Sequence, residues 1–299
     1  MKKLFNNKWF LLIVIALTWG SSFILIKKSL VVFTPNEIGA IRVGVSGLIL
    51  AYIGFPVLKE MSRTTLFWIT ITGFFGNFLP MFLFPLAQTE VSSSLAGILD
   101  SLVPAFVLVL GFFLFGIRSR GIQILGAVVG FLGAVSLLYF SETNSENSQF
   151  WYALLVVLAT ACYAVSALIL KEKLAHVPSL KISAAVFTIW MVPSFAILIF
   201  SGFFQNIEAT PQTYEALAYL SILSIVGTAI AMILYYKLIQ NTTAIFASAV
   251  TYLLPIVAVL WGILDGEKFT AWHLFGGLLI LIGIYLIGKN NDTSKVLTD

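Results

Sequence analysis

Gly76-Asn77-Phe78-Leu79-Pro80-Met81-Phe82-Leu83 and Gly227-Thr228-Ala229-Ile230-Ala231-Met232-Ile233-Leu234 place Gly, Met and Leu at the same three points of two apolar segments. The echo continues downstream. Ala96, Leu102, Pro104 and Gly111 return as Ala247, Leu253, Pro255 and Gly262, each pair 151 residues apart (255 − 104 = 151). After a slip of one residue, Gly126 and Gly133 return as Gly276 and Gly283, 150 apart (276 − 126 = 150). Apolar residues match by chance in any two hydrophobic runs, whereas Pro and Gly at fixed points do not. A period this long is too great for a solenoid. It suits a duplicated half-transporter, in which two bundles face each other across a shared path.

Composition fixes the setting of that repeat. The 299-residue chain is 60% hydrophobic and 10% charged, with a mean hydropathy of +1.01. Soluble domains carry roughly 25% charged residues. Apolar runs of about 20 residues span a bilayer, and ten are readable: 9–30, 36–58, 65–88, 91–116, 120–140, 150–171, 180–204, 213–238, 242–264 and 270–288. Backbone groups in lipid must be paired within their own segment, so each run is expected to be a helix. The short connections leave no room for a soluble domain. The expected fold is an all-α polytopic membrane protein, ten transmembrane helices in two inverted five-helix repeats around a central cavity. The first repeat occupies 1–140, a polar external linker 141–149, the second repeat 150–288 and a cytoplasmic tail 289–299.

Charge placement gives the orientation. Thirteen of the 17 Lys and Arg residues, from Lys2 and Lys3 to Lys289 and Lys295, fall on the side of the termini. Only Lys27, Lys28 and Lys268 fall opposite, and Arg42 lies within a span. The positive-inside rule then puts both termini in the cytoplasm. The net charge of +4 is therefore an orientation signal and calls for no nucleic-acid partner. Because five spans is an odd number, the second repeat enters from the opposite face, and a pseudo-two-fold axis in the membrane plane relates the halves. Trp19-Gly20-Ser21-Ser22…Lys27 aligns with Tyr163-Ala164-Val165-Ser166…Lys171, and the two lysines land on opposite sides. Such duplication gives a carrier two nearly equivalent states, one open to each side.

Leu17-Thr18-Trp19-Gly20-Ser21-Ser22-Phe23 closing the first span resembles the EamA family of the drug/metabolite transporter superfamily. So do Pro35…Ile41-Arg42, Leu253-Leu254-Pro255, Gly266-Glu267 and Gly276-Gly277…Gly283. The resemblance covers about 9–288. One departure stands out: the first repeat reads Phe115-Gly116-Ile117-Arg118 where the family shows a Gly-Glu pair. The resemblance implies a ten-helix exporter or exchanger of small metabolites, often amino acids, in the plasma (inner) membrane.

Arg42 and Asp100 are the charges deepest in the spans, both in the outer half of the membrane. A charge at mid-bilayer costs on the order of 2.5–3.5 kcal/mol on insertion scales, so it faces a cavity or a partner. Either they form a structural ion pair, Arg42 taking Asp100 or Glu37, or they bind a substrate's carboxylate and amine, with Asp100 also taking up a proton. Polar and aromatic groups gather at matched depths: Thr18, Trp19, Ser21 and Ser22 with Tyr163 and Ser166, Asn77 with Thr228, Asp100 with Thr251 and Tyr252, and Phe84 with Tyr235. Together they outline a binding cavity for a zwitterion or flat ring, although each hydroxyl alone can simply back-bond to its own helix. Pro80, Pro85, Pro193 and the symmetry mates Pro104 and Pro255 break helix bonding, and the last two are the expected gating points. Gly126, Gly130 and Gly133 with Gly276, Gly277 and Gly283 give spans five and ten small faces, suited to close packing or homodimer contact. Trp190 and Trp261 are expected in packing or against lipid.

No phosphate-binding loop is present. Cys162 is the only cysteine, and the two histidines, His176 and His273, lie far apart at span edges, so neither cofactor nor metal is expected. The partners expected are a small-molecule substrate and membrane lipid. A nucleotide-sugar or phosphate-ester antiporter would want several cavity cations, and Arg42 is the sole candidate. A membrane enzyme needs convergent catalytic groups, and a receptor or scaffold gains little from inverted duplication.

Overall fold

The computed structural model describes residues 7–91, 93–139, 149–264 and 271–289. Most of the linker (141–148), Gly266-Glu267, Lys268 and the tail from 290 lie outside the described residues, as do the side chains of Trp272 and His273. Among the described residues all regular structure is helical. Apolar surroundings require this, because no water is at hand to satisfy unpaired amides.

Lys8–Gly20 (α1) starts where the Asn7 side chain accepts from the Trp9 amide (2.9 Å), and continues past a break at Ser21 as Ser22–Ser29 (α2). Pro35–Glu60 (α3) opens with a capping box, Thr34 and Glu37 bonding reciprocally through side chain and backbone. Arg63–Gly73 (α4) runs through a π-turn at Phe74–Phe78 into Leu79–Ala87 (α5). Ser93–Asp100 (α6), Val103–Phe115 (α7) and Gly121–Tyr139 (α8) complete the first half. The second half holds Gln149–Lys173 (α9), Ser179–Phe200 (α10), the short Phe203–Asn206 (α11) and Pro211–Ser224 (α12). A second π-turn, Ile225–Ile230, leads into Ala231–Asn241 (α13). The chain ends its helical path through Ala244–Ser248 (α14), a 3₁₀ turn at Ala249–Leu253, Leu254–Leu264 (α15) and Ala271–Gly288 (α16).

The sequence period is also a backbone period. The π-turns begin 151 residues apart (225 − 74 = 151), and so do the helices beyond the break in the fourth and ninth expected spans (254 − 103 = 151). The two halves of the chain repeat these two interruptions, while the break at Ser21 has no counterpart in the continuous α9.

Six helical stretches among the described residues are long and apolar enough to cross a membrane: Lys8–Ser29, Pro35–Glu60, Arg63–Ala87, Phe150–Lys173, Ser179–Phe200 and Pro211–Asn241. The other four expected spans correspond to shorter apolar helices, Val103–Phe115, Gly121–Gly133, Ala244–Val257 and Phe275–Gly288. The expectation of a continuous helix over 91–116 is corrected: it is two helices meeting at Ser101-Leu102. Pro104 has no amide proton to give and sits in the first turn of α7, where none is needed, so a helix start just before it suits it. The far end of α7 closes on Gly116, whose φ of +66° is open to glycine without strain. Its amide bonds to the Phe112 carbonyl, and the next amide, of Ile117, to that of Gly111. Here, where the family pattern has a Gly-Glu pair, the glycine serves as a helix stop.

Two pairs of symmetry mates pack against each other, α3 with α10 and α8 with α16. Glycines permit the approach. A Cβ on Gly47 would lie 2.6 Å from the Phe187 carbonyl oxygen, and one on Gly126 would lie 2.8 Å from that of Gly283. Gly126, Gly133 and Gly283 of the small faces expected on spans five and ten are thus packed between those helices within the chain, whereas Gly277 faces open space. Outward-facing positions such as Phe113, Val192 and Phe200 are apolar, as a lipid boundary demands.

Candidate functional site

Between the halves lies a cavity, partly open to solvent, with about 720 Å³ of space free of protein atoms. Its walls are built from symmetry mates. Trp19 and Tyr163, Ser22 and Ser166, and Phe84 and Tyr235 face it in pairs; so do Gly76 and Gly227, Met81 and Met232, Asp100 and Thr251, and Val103 and Leu254. Three further lining residues, Phe23, Ile26 and Arg42, come from the first half alone.

The contacts between mates repeat as well. Trp19 lies against Tyr235 with ring centroids 4.9 Å apart, and Tyr163 stacks on Phe84 at 5.9 Å. Each is an α1-type helix meeting the α5-type helix of the other half. Below them a serine meets a glycine twice. A Cβ on Gly76 would overlap the Ser166 hydroxyl, and one on Gly227 would stand 3.0 Å from that of Ser22. The π-turns explain why those glycines matter. Widening a helix by one residue releases a carbonyl from its usual partner, and the Gly227 carbonyl accepts the Trp19 indole N–H at 3.0 Å. Nearby, Ser166 Oγ donates to the Thr72 carbonyl (3.0 Å) and Ser46 Oγ to that of Ser224 (2.8 Å). The second π-turn is braced by Thr228, whose hydroxyl donates to the Leu223 carbonyl five residues back (2.9 Å).

Arg42 and Asp100 both border the cavity, and both are buried. Neither ion pair expected for Arg42 forms among the described residues. Glu37 is committed to capping α3, while Arg42 Nε donates to Thr228 Oγ1 at 3.4 Å. Asp100 Oδ1 has no hydrogen-bond partner. A carboxyl group at the end of α6 and a guanidinium on α3 therefore share one largely apolar space without pairing with each other. That arrangement can receive a solute carrying both a carboxylate and an amine.

Of the twelve binding residues expected, Trp19, Ser22, Arg42, Phe84, Asp100, Tyr163, Ser166, Tyr235 and Thr251 line the cavity. Asn77, Thr228 and Tyr252 do not. Asn77 Nδ2 donates to the Tyr236 hydroxyl at 2.6 Å, and Thr228 holds Arg42. Tyr252 donates to the Ala127 carbonyl (2.7 Å), its ring filling the space left by Gly130. Thr18 and Ser21 bond to carbonyls of their own helix. Pro104 and Pro255 each sit second in their helices, just beyond the cavity residues Val103 and Leu254. Trp190 packs on Phe78 (4.5 Å) and donates to the Thr70 carbonyl, and His176 is exposed. The wall residues that sequence reasoning misses are Gly76, Gly227, Met81, Met232, Phe23, Ile26, Val103 and Leu254. The first four are visible in the sequence as repeat identities.

Comparison with known proteins agrees with this architecture. A crystal structure of another protein superposes with a TM-score of 0.70 at 18% identity, covering 94% of this chain and 96% of that one. An uncharacterized transporter of Archaeoglobus fulgidus is 25% identical over 94% of this chain and 98% of its own length. A Salmonella typhimurium protein named as a probable amino-acid metabolite efflux pump is 25% identical over 93% of each chain. The Escherichia coli inner membrane transporter YedA, itself uncharacterized, is 23% identical over 91% of this chain and 88% of its own. The profile of the EamA-like transporter family matches twice, over residues 7–139 and 150–289, and the chain belongs to that family of drug/metabolite transporters.

Proposed function

We propose that the chain is a secondary carrier that exports amino acids or closely related zwitterionic metabolites by alternating access. In this reading ten helices cross the inner membrane, with both termini cytoplasmic and the second five-helix repeat inverted relative to the first. One observation carries it: Arg42 and Asp100, unpaired with each other, face a single cavity whose other walls are mostly aromatic and apolar, with the hydroxyls of Ser22, Ser166 and Thr251 among them. Arg42 takes the solute carboxylate, Asp100 takes the amine or a coupling proton, and the two aromatic pairs flank the side chain. Buried charges in membrane helices mark transport paths for this reason. The relative named as an amino-acid metabolite efflux pump supports the substrate class.

The test is flux in proteoliposomes with labelled amino acids, their decarboxylated amines and their deaminated acids. Uptake or exchange of the zwitterions, with weaker transport of both single-charge analogues, is expected. Equal transport of all three classes would remove Arg42 and Asp100 from recognition.

A further inference from the structure

Lys171, near the end of α9, directs its ammonium to the carbonyl end of α13. It donates to the carbonyls of Ile239 (3.3 Å) and Gln240 (3.2 Å) and, closer still, to that of Thr242. An ammonium has three donors, and three carbonyls take them. A helix C-terminus also presents negative partial charge, so this cradle suits a cation. Gln240 reinforces the join by donating to the Val177 carbonyl (2.6 Å). Together these contacts tie the end of α9 to the end of α13.

The repeat supplies a second set of the same parts. Lys27 is the mate of Lys171, at the spacing that pairs Trp19 with Tyr163 (171 − 27 = 144). The mates of the three cradle residues are Gln88, Thr89 and Val91, at the spacing of 151. Yet Lys27 is exposed and makes no such contact among the described residues. Among the described residues the lysine tie is made at one end of the molecule and not at its mirror end. The cavity agrees, since it reaches Ile26, one residue before Lys27, but not the mate Leu170 beside Lys171.

We propose that Lys27 and Lys171 are alternating gate residues. Lys171 seated on the carbonyls of 239, 240 and 242 closes one face in the conformation seen here. In the opposite conformation Lys171 leaves, and Lys27 seats on the carbonyls of Gln88, Thr89 and Val91 to close the other face. This rests on the carrier reading above, and on inversion of the halves, which places the two cradles on opposite sides of the membrane.

Spin-label distances in nanodiscs test it without any solute. In a Cys162→Ser background, one pair of labels at Ala175→Cys and Asn241→Cys reports the Lys171 gate. Their mates Val31→Cys and Glu90→Cys report the Lys27 gate. The unsubstituted lysines are expected to give a short distance at the first gate and a long one at the second. Lys171→Gln should lose the short first-gate distance and gain a short second-gate distance. Lys27→Gln, at an exposed position that does not endanger folding, should retain the first-gate distance and abolish the second-gate closure that Lys171→Gln produces. It should also slow steady exchange in proteoliposomes, which needs both closures. A first-gate distance unmoved by Lys171→Gln, a Lys27→Gln shift in the same direction as Lys171→Gln, or wild-type exchange in Lys27→Gln would each overturn the proposal. Wild-type protein that moves no solute would instead sink the carrier reading while leaving the distance test intact.

Discussion

Gly76 and Gly227 are symmetry mates on the cavity wall, yet alanine should cost very different amounts at the two positions. At Gly76 the new Cβ would overlap Ser166 Oγ and stand 2.9 Å from Ser166 Cβ. Rotating the hydroxyl relieves the first clash and leaves the second, because Cβ moves only with the backbone of α9. Rotation also forfeits the bond to the Thr72 carbonyl. Overpacking by one methyl costs about 1–3 kcal/mol, and the lost bond adds about 0.5–1.5 kcal/mol. Gly→Ala in a helix returns up to about 1 kcal/mol, so the net destabilisation is about 0.5–4.5 kcal/mol. At Gly227 the nearest atoms are Ser22 Oγ at 3.0 Å and Leu223 Cδ1 at 3.2 Å, both at the ends of side chains. Ser22 keeps its bond to the Thr18 carbonyl after a small shift, so Gly227→Ala should be near neutral. Cys162, the sole cysteine, is buried, and its reaction with a fluorogenic maleimide during heating reports unfolding directly. Gly76→Ala should melt well below wild type, Gly227→Ala close to it, and Ser166→Gly should rescue part of the Gly76→Ala loss. Equal melting of the two alanine variants would refute the reading of Ser166 as a wedge seated on Gly76.

Three further outcomes are expected. Arg42→Gln keeps an amide beside Thr228 but removes the cation. A hydrogen bond to a charged group contributes about 1.5–3 kcal/mol, so flux of carboxylate-bearing solutes should fall roughly tenfold to a hundredfold while flux of the matching amines changes little. Asp100→Asn should flatten the pH dependence of flux measured from mildly acid to mildly alkaline buffer, with unchanged thermal stability; a profile identical to wild type would remove Asp100 from proton coupling. Tyr236→Phe strips the buried Asn77 amide of its partner and should lower stability by about 1–3 kcal/mol in the same melting assay, with solute selectivity preserved because neither residue reaches the cavity.

Depth is legible in the sequence, and facing is not. Trp19, Tyr163, Phe84 and Tyr235 can be found because repeat alignment fixes how far along a span a residue sits, and mates fall at equal depth. Asn77 and Thr228 sit at the right depth but turn away, because each lies inside a π-turn. One extra residue in a turn rotates the rest of the helix by about 100°, the angle per residue of an α-helix. No propensity pattern in Phe74–Phe78 announces that turn, and only the first copy has a proline nearby to suggest it. Tyr252 is a similar case: its hydroxyl suits a cavity, but Gly130 on the facing helix leaves a slot for its ring. The break before Pro104 suits proline chemistry, but Pro56, Pro85 and Pro193 lie inside continuous helices, so a proline in the sequence does not by itself mark a break. Met81 and Met232 are in plain view as repeat identities, yet an apolar residue carries no signal separating a cavity wall from a packed core.

The three unmatched wall residues bear on the state of the molecule. Phe23, Ile26 and Arg42 line the cavity, whereas their mates Ala167, Leu170 and Val186 do not. For Arg42 and Val186 the chemistry differs enough to explain it. Ile26 and Leu170 are isomers with the same volume and polarity, so side-chain chemistry cannot account for one facing the cavity and the other facing the core. What differs is the surrounding arrangement: Leu170 adjoins the seated Lys171, and Ile26 adjoins the unseated Lys27. On the proposal that Lys171 and Lys27 close the two faces in turn, near-identical residues in unlike environments are what one of the two conformations would show. The opposite conformation should bring Leu170 to the cavity and withdraw Ile26, which makes that pair the least perturbing place to watch the exchange.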